Sequence, residues 1–525
     1  MTIRTAVTRS IALHGIDGTP VTISAQIGPA PSDALPASES HPVDRETLER
    51  IRAALRNSGV PWPTEPVQVT TSHPLRDGTT LADLAMACAV LAAAGELPAH
   101  VIAHTVILGE LGLDGQLRPV RGVLPALLAA RRTGLDRAVV PTSSLPEAAL
   151  LPGIRVVGAD QLAAAVAGLR GQLAGSAQVA SAATSAIADP AGSAVDVARR
   201  TSPSGRAAMA DSNASDVLDV SGPPEAVRAV EVAAAGGHHL LLVGRPGAGC
   251  WRYATLLHQL RPALTDEEAL EVAAVQSVTG RLGPDTPLVP TAPFIAPHHS
   301  MSMPALVGGG AGLTRPGAMT HAHRGVLFLD HVSEFGPDRL EAVRCAVDDG
   351  EVRLARRDGV ARYPARFQLV LATAPCPCGQ PEPDCSCSPH ARRRFLARIT
   401  GPLLDRVDLR VRLRPPDDSA PVTSAPEGGS ILRARMSAAR TRAAHRWAVH
   451  GGSTNADVPA TTFTHAEFRL PRSTTAALDQ ALENGAMSGR GWVRALRVAW
   501  TLAGLVRPGR DEITEALEFR DRRPS

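Results

Sequence analysis

The stretch Gly244-Arg245-Pro246-Gly247-Ala248-Gly249-Cys250-Trp251 decides how this chain is read. It follows an apolar run, His239–Val243, and leads into the segment Trp251–Leu260. Apolar run, glycine-rich turn and longer amphipathic segment are the order of strand, loop and helix. The glycines fit the phosphate-loop frame G-x-x-x-x-G-K-[ST]. Such glycines let backbone N–H groups converge on an anion at a helix N-terminus. The last two positions depart from the frame. Cys250 stands where a lysine reaches the β- and γ-phosphates, and Trp251 where a hydroxyl holds Mg²⁺. An indole cannot coordinate a hard cation. By themselves, the glycines suit an ordinary strand-to-helix turn better than a phosphate loop.

Working outward, a second strand, Val326–Leu329, ends at Asp330, and a third, Phe367–Ala372, follows. Helix–strand alternation over 217–413 predicts a parallel α/β sheet with its site at the C-terminal strand ends. Residues 173–216 are rich in Ala, Ser, Gly and Asp, are interrupted by Pro190 and Pro203, and read as a flexible linker. Residues 414–430 read as a Pro/Gly/Ser-rich hinge. The remainder, 431–525, reads as helical, with apolar spacing in Ala476–Leu482 and Val493–Leu505. Residues 1–172 read as a mixed α/β domain. There, Val21, Ile23, Ala25 and Ile27 alternate as in a half-buried strand. Asp44 caps a helix carrying Leu48, Ile51 and Leu55 on one face and ending at Gly59. Asp83–Ala94 is apolar nearly all round, which predicts a buried helix. Further strands are expected at Thr105–Leu108 and Ala138–Val140. No internal repeat is present.

A chain of 525 residues is too long for one hydrophobic core and predicts two to four domains. A net charge of +3 argues against a bulk electrostatic grip on nucleic acid. The sequence contains no lysine, so all 54 basic residues are arginine. Chemistry that needs a lysine amine is therefore excluded. No apolar run approaches the ~18 residues of a membrane span, and Met1–Gly15 lacks the core of a signal peptide. Seven cysteines, four of them clustered, do not suggest a secreted disulfide framework. The expected location is cytoplasmic.

Several blocks carry a resemblance: Glu231–His238 leading into the loop, Ala296-Pro297-His298-His299-Ser300, Ala305–Gly310, His323–Asp330, Pro364–Val370 and Gly401–Arg406. In order, over about 217 to 411, they resemble the magnesium-chelatase ATPase-subunit family, and specifically its ComM/YifB branch. The resemblance implies an α/β fold: a P-loop AAA+ core with a helical C-terminal lid that closes a ring, with ATP and Mg²⁺ bound between subunits. The nucleotide-binding positions it implies are Gly244, Arg245, Pro246, Gly247, Ala248 and Gly249, with Asp330 as the Walker B metal-binding carboxylate. Arg406 falls where the family carries arginines near the subunit boundary, and Arg490 matches a sensor-2 position in the lid. Arginine at such a boundary stabilises a transferring phosphoryl group.

Against that family pattern, four groups are replaced. The phosphate lysine is Cys250 and the magnesium hydroxyl is Trp251. The Walker B glutamate that polarises water is His331, and the sensor-1 asparagine is Ala374. Losing one such group costs a few kcal/mol of transition-state stabilisation, and the losses within one constellation are not additive. The expectation is a non-hydrolysing protein that acts by binding a partner, with an active paralogue's ring as the candidate. Residual nucleotide binding through backbone amides with Arg245 or Arg252 stays open. So do two alternatives: a working AAA+ ATPase acting on DNA, and a magnesium-chelatase subunit serving a porphyrin.

Cys376, Cys378, Cys385 and Cys387 form C-x-C and C-x-C within twelve residues. Four thiolates can enclose a tetrahedral zinc, although this spacing is tighter than usual and reduced thiols on a loop remain the alternative. Cys88 and Cys345 lie in helical, apolar contexts that predict burial. Residues 1–172 resemble the N-terminal part of ComM/YifB proteins through Glu49–Gly59, Leu108–Leu111 and Val120–Pro125. That implies an α+β fold similar to Lon protease domains and to a ribosomal small-subunit protein. A Lon-type serine needs a lysine to activate it. Hydroxyls occur around Asp77-Gly78-Thr79-Thr80, but with no lysine the dyad cannot form. The expected role is a scaffold or partner-binding surface. His298, His299, His321 and His323 lack an obvious carboxylate partner for a metal. The arginines 392–394 with Arg398, and Arg433, Arg435, Arg440 and Arg442, suit either nucleic-acid phosphates or a solvated helix face.

Overall fold

The structure, a computed structural model, describes residues 3–29, 41–75, 80–171, 222–283, 288–310, 314–356, 359–380, 385–399, 401–413, 429–504 and 506–521. The expected linker at 173–216, nearly all of the hinge at 414–430 and Asp77-Gly78-Thr79 lie outside these residues.

Residues 3–171 build one mixed sheet. β1 (Arg4–His14) and β2 (Asp17–Ile27) pair antiparallel along their full length, from Arg4↔Ile27 to His14↔Asp17. β3 (His41–Pro42) and β4 (Val67–Thr71) extend that side, and β5 (Thr105–Ile107) joins β1 in parallel. A short hairpin follows, β6 (Glu110–Leu111) with β7 (Leu117–Arg118). β8 (Arg137–Pro141) and β9 (Arg155–Ala159) complete the order β3-β4-β2-β1-β5-β8-β9. The alternating residues of β2 turn inward as expected: Val21, Ile23, Ala25 and Ile27 are all buried. Asp44 caps the helix Arg45–Asn57 by accepting the Thr47 N–H at 2.7 Å, and Gly59 leaves it at φ 76°. The helix Asp83–Ala93 is buried on almost every side, Cys88 included.

Residues 222–413 build a second sheet, in which every strand is parallel. Its strands are β10 (Leu240–Val243), β11 (Phe294–Ile295), β14 (Val326–Leu329), β17 (Gln368–Thr373) and β18 (Leu409–Arg412), and two separate antiparallel hairpins lie between them in the chain, β12 (Gly308–Gly309) with β13 (Arg315–Pro316) and β15 (Glu351–Arg356) with β16 (Gly359–Pro364). The sheet order is β11-β14-β17-β10-β18. Apolar runs such as Leu240–Val243 follow from burial on both faces. Leu240, Leu242 and Phe328 enter one core, while Leu241, Leu327 and Leu329 enter the other.

The helices Gly429–Trp447, Arg472–Glu483, Gly489–Ala503 and Arg510–Asp521 share the first of those cores with the sheet. Trp447 is fully buried at its centre, beside Phe463, Phe468 and Trp500, and donates its indole N–H to Asn455 Oδ1 at 2.7 Å. The helix Val123–Arg132 packs against the helix Asp266–Thr279, whose Leu270 and Ala273 enter its apolar cluster. Glu147 ties the two, accepting from the Ser277 hydroxyl and from the Leu124 N–H. Among the described residues, no helix is long and apolar enough to cross a membrane.

One expected burial is corrected. Cys345 is exposed. The helix Pro337–Asp349 buries Leu340, Val343 and Ala346, and Cys345 falls on the opposite face beside Glu341 and Arg344.

Candidate functional site

Because β10, β17 and β14 are parallel neighbours, the segments that leave their C-terminal ends meet at one edge. β10 runs into the glycine loop, β14 into Asp330 and His331, and β17 into Ala374 and the cysteine segment. The Gly244 N–H donates to Thr373 O at 3.0 Å, which places Ala374 beside the start of the loop. Gly247 and Gly249 both adopt φ 84°, a conformation that L side chains resist, and the helix Cys250–Gln259 starts directly after. Its first N–H groups therefore point into the loop, as an anion site requires.

The two side chains that replace the family's lysine and hydroxyl, Cys250 and Trp251, bring no charge to that turn. Burial, reinforced by the negative charge of Asp330, pushes the Cys250 thiol up to about 12. It is therefore an uncharged thiol at neutral pH. Trp251 leans edge-on against Phe328 and Phe294, with ring centroids 5.3 Å and 5.8 Å away, and remains 45% exposed. Asp330 Oδ1 accepts the His331 N–H at 2.9 Å, and the His331 ring nitrogen Nε2 lies 3.9 Å from Oδ2. His331 is one of two non-glycine residues at positive φ among those described, at 51°. The loop, Asp330, His331 and Ala374 thus occupy one edge of the sheet.

Arg406 and Arg490 are brought together elsewhere. They line one cavity of about 640 Å³ with Glu341, Arg344, Pro402 and Asp405. Arg406 is 5% exposed and grips Asp348 with two bonds of 2.9 Å and 2.7 Å, which hold its guanidinium charged and the Asp348 carboxyl below its usual range. Arg490 is exposed near the start of the helix Gly489–Ala503. Asp348, Glu341 and Arg344 were not singled out from sequence. Their helix reads as an ordinary amphipathic one, and nothing local marks a partner 58 residues from Arg406.

The four cysteines converge. Cys376 Sγ lies 3.4 Å from Cys378 Sγ and 3.5 Å from Cys385 Sγ, and all four sulfurs lie within 4.8 Å of one another. Burial raises the Cys376 thiol to about 12, while the Gln380 N–H lowers that of Cys378 to about 6. Main-chain N–H groups aimed at sulfur are what a thiolate metal site uses as support. The histidine pairs stay apart from any such cluster. His323 instead bonds Glu271 at 2.9 Å, and His298 bonds Ser300. Arg398 pairs with Glu334 at 3.0 Å and Arg435 with Glu231 at 3.1 Å.

A wholly parallel sheet with a glycine loop at its strand ends and a helical C-terminal region is consistent with the P-loop AAA+ class. Family models agree along the chain. One described as magnesium chelatase, subunit ChlI, matches residues 216–420. Another, subunit ChlI of Mg-chelatase, matches 40–144, and the ChlI C-terminal model matches 427–520. An uncharacterized protein of Mycobacterium tuberculosis is 45% identical over 519 residues, 97% of each chain. The uncharacterized protein YifB of Escherichia coli is 31% identical over 97% of this chain and 96% of its own. The competence protein ComM of Haemophilus influenzae is 32% identical over 91% of this chain and 89% of its own. The chain belongs to the ComM/YifB magnesium-chelatase-like family.

Proposed function

We propose that this chain is a non-hydrolysing member of its family, a pseudo-ATPase that acts by joining and modulating the ring of an active paralogue. The observation that carries this reading is the uncharged, half-buried Cys250 thiol at the head of the helix that follows the phosphate loop. A triphosphate there meets no side-chain cation at that position, no hydroxyl for magnesium at Trp251, and imidazole rather than carboxylate at His331. Without preorganised charge of the right sign, the chemical step loses its main source of stabilisation. In this reading Gly244, Arg245, Pro246, Gly247, Ala248, Gly249 and Asp330 are the remains of a nucleotide site, and ATP-Mg²⁺ is at most weakly held.

The division into an N-terminal domain (1–172), a linker (173–216), an AAA+ core (217–413) and a helical lid (431–525) belongs to the same proposal. The mixed sheet of residues 3–171 supports a Lon-protease-like fold for the first, serving as scaffold in the cytoplasm. The convergent sulfurs support a structural zinc at Cys376, Cys378, Cys385 and Cys387.

Arg490 supports the ring reading, because it is exposed beside a recess that also holds Arg344, Arg406, Glu341 and Asp405, and an exposed arginine is suited to a neighbour's phosphates whether or not the chain's own loop works. The test is to add the purified chain to an active paralogue and follow phosphate release. Turnover by the paralogue changes severalfold, and Arg490→Ala, at an exposed position, removes the change. Identical rates with and without the chain would overturn the partner reading. The second reading is a working ATPase that remodels DNA, favoured by the retained Asp330 and by the exposed arginines of the helix Pro389–Leu396.

A further inference from the structure

We infer that a soft divalent cation held by Cys376, Cys378, Cys385 and Cys387 braces the phosphate loop, so that metal occupancy sets how firmly residues 244–249 are held. This rests on the reading of the quartet as a zinc site. The donor set fits such an ion. Zn–S bonds of about 2.3 Å in a tetrahedron place sulfurs about 3.8 Å apart. The three pairs among Cys376, Cys378 and Cys385 stand at 3.4 Å, 3.5 Å and 3.5 Å, with Cys387 inside the same 4.8 Å cluster. A small shift of one sulfur completes the shell.

The brace follows from where the quartet is attached. β17 and β10 pair through Val243↔Thr373, so the cysteine segment and the phosphate loop leave neighbouring strands on the same edge. Beyond the strand ends they touch again. Gly379, the residue after Cys378, lies against the Pro246 ring so closely that a Cβ on it would sit 2.9 Å from Pro246 Cδ and 3.1 Å from Cγ. Gly379 is held there at φ 65° by its own N–H donating to Cys376 O at 3.2 Å. Its position is therefore set by two metal ligands, one bonded to it and one adjacent to it.

The loop is anchored at its ends, where Gly244 bonds Thr373 and Ala248 packs on the core, and its tip is less held. Pro246 and Gly247 are exposed, and within the loop the Ala248 N–H donates to Arg245 O at 2.9 Å. Of the described residues 376–380 and 385–387, Cys376 and Gly379 are buried, so little apolar area holds that segment in place. In such a segment the metal supplies the order. Coupling of this kind is reciprocal: if the metal steadies Pro246, then Pro246 steadies the metal.

Amide hydrogen exchange of the full-length zinc-loaded protein tests the inference, with zinc content measured alongside. One zinc is expected per chain. Removing it with a chelator is expected to accelerate exchange in the peptide covering 244–250 roughly tenfold. The core strand Val326–Leu329 stays protected and reports any general unfolding. In a second arm, Pro246→Ala keeps one zinc per chain but passes it severalfold faster to a chromophoric chelator. Absence of stoichiometric zinc overturns the metal reading itself. Stoichiometric zinc with unchanged exchange on its removal, and unchanged transfer from Pro246→Ala, overturns the brace while leaving the zinc site standing. If stripping unfolds the core, the Pro246→Ala arm decides, because it retains the metal.

Discussion

His239 precedes β10 and accepts the Leu369 N–H on Nδ1 at 3.0 Å, so the strand register uses its unprotonated nitrogen. Desolvation lowers its pKa to about 4. The ring is neutral in the folded chain yet takes up a proton in the unfolded chain below about 6.5. Its contribution to stability is therefore complete above that pH and is lost as pH falls from 6.5 towards 4, by at most about 1.4 kcal/mol per pH unit. His321, lowered to about 4 by its burial, acts in the same direction. Asp83, raised by burial to about 6, acts in the opposite one. Thermal unfolding followed from pH 7 to pH 5 shows a falling midpoint, and His239→Gln, which keeps an acceptor, falls less steeply. An equal slope in both proteins would contradict this assignment. Single residues of the candidate site were partly legible in the same way. The glycines, Asp330 and the departures at Cys250, Trp251, His331 and Ala374 are visible as spacing in the chain. That Cys250 is half-buried near Asp330, and that Trp251 rests on Phe294 and Phe328, depends on strand order, which local spacing does not carry.

At the scale of elements, periodicity was the most reliable guide. The alternation in β2, the capped helix after Asp44 and the all-apolar helix after Asp83 each occur where the pattern puts them, because burial on one face, one stripe or all sides leaves different apolar spacings. The short strands β10 and β14 were legible as apolar runs bounded by glycine or aspartate. Cys345 shows the limit of such reasoning. Its neighbours Val343 and Ala346 are apolar, yet a two-residue step from Val343 turns it about 200° around the helix and out of the core. The pairing of Arg406 with Asp348, and the contact of Gly379 with Pro246, join elements distant in sequence. They are consequences of packing and carry no local signature.

In the whole molecule, the C-terminal helices are joined to the parallel sheet by more than apolar contact. Asp408 is fully buried, accepts the His239 N–H at 2.9 Å, and pairs with Arg494 of the helix Gly489–Ala503 at 2.9 Å. That pairing holds its carboxyl well below the usual range. Removing one partner leaves a buried charge without compensation, which typically costs about 3–5 kcal/mol. Asp408→Ala is accordingly expected to lower the unfolding free energy obtained from urea titration by an amount of that order. A loss below about 1 kcal/mol would show that the joint is held by the shared apolar core alone. A second junction, from Glu147 in the helix Leu145–Ala149 to Ser277, ties the N-terminal region to the helix that precedes β11.

The proposed function stands on the charge at one strand edge, and phosphate release tests it most directly. Full-length protein is incubated with ATP-Mg²⁺ beside an Asp330→Ala variant, whose substituted side chain is part-exposed and outside the core. Both proteins are predicted to release phosphate at the same background rate. Release by the parent chain that disappears in Asp330→Ala would contradict the account.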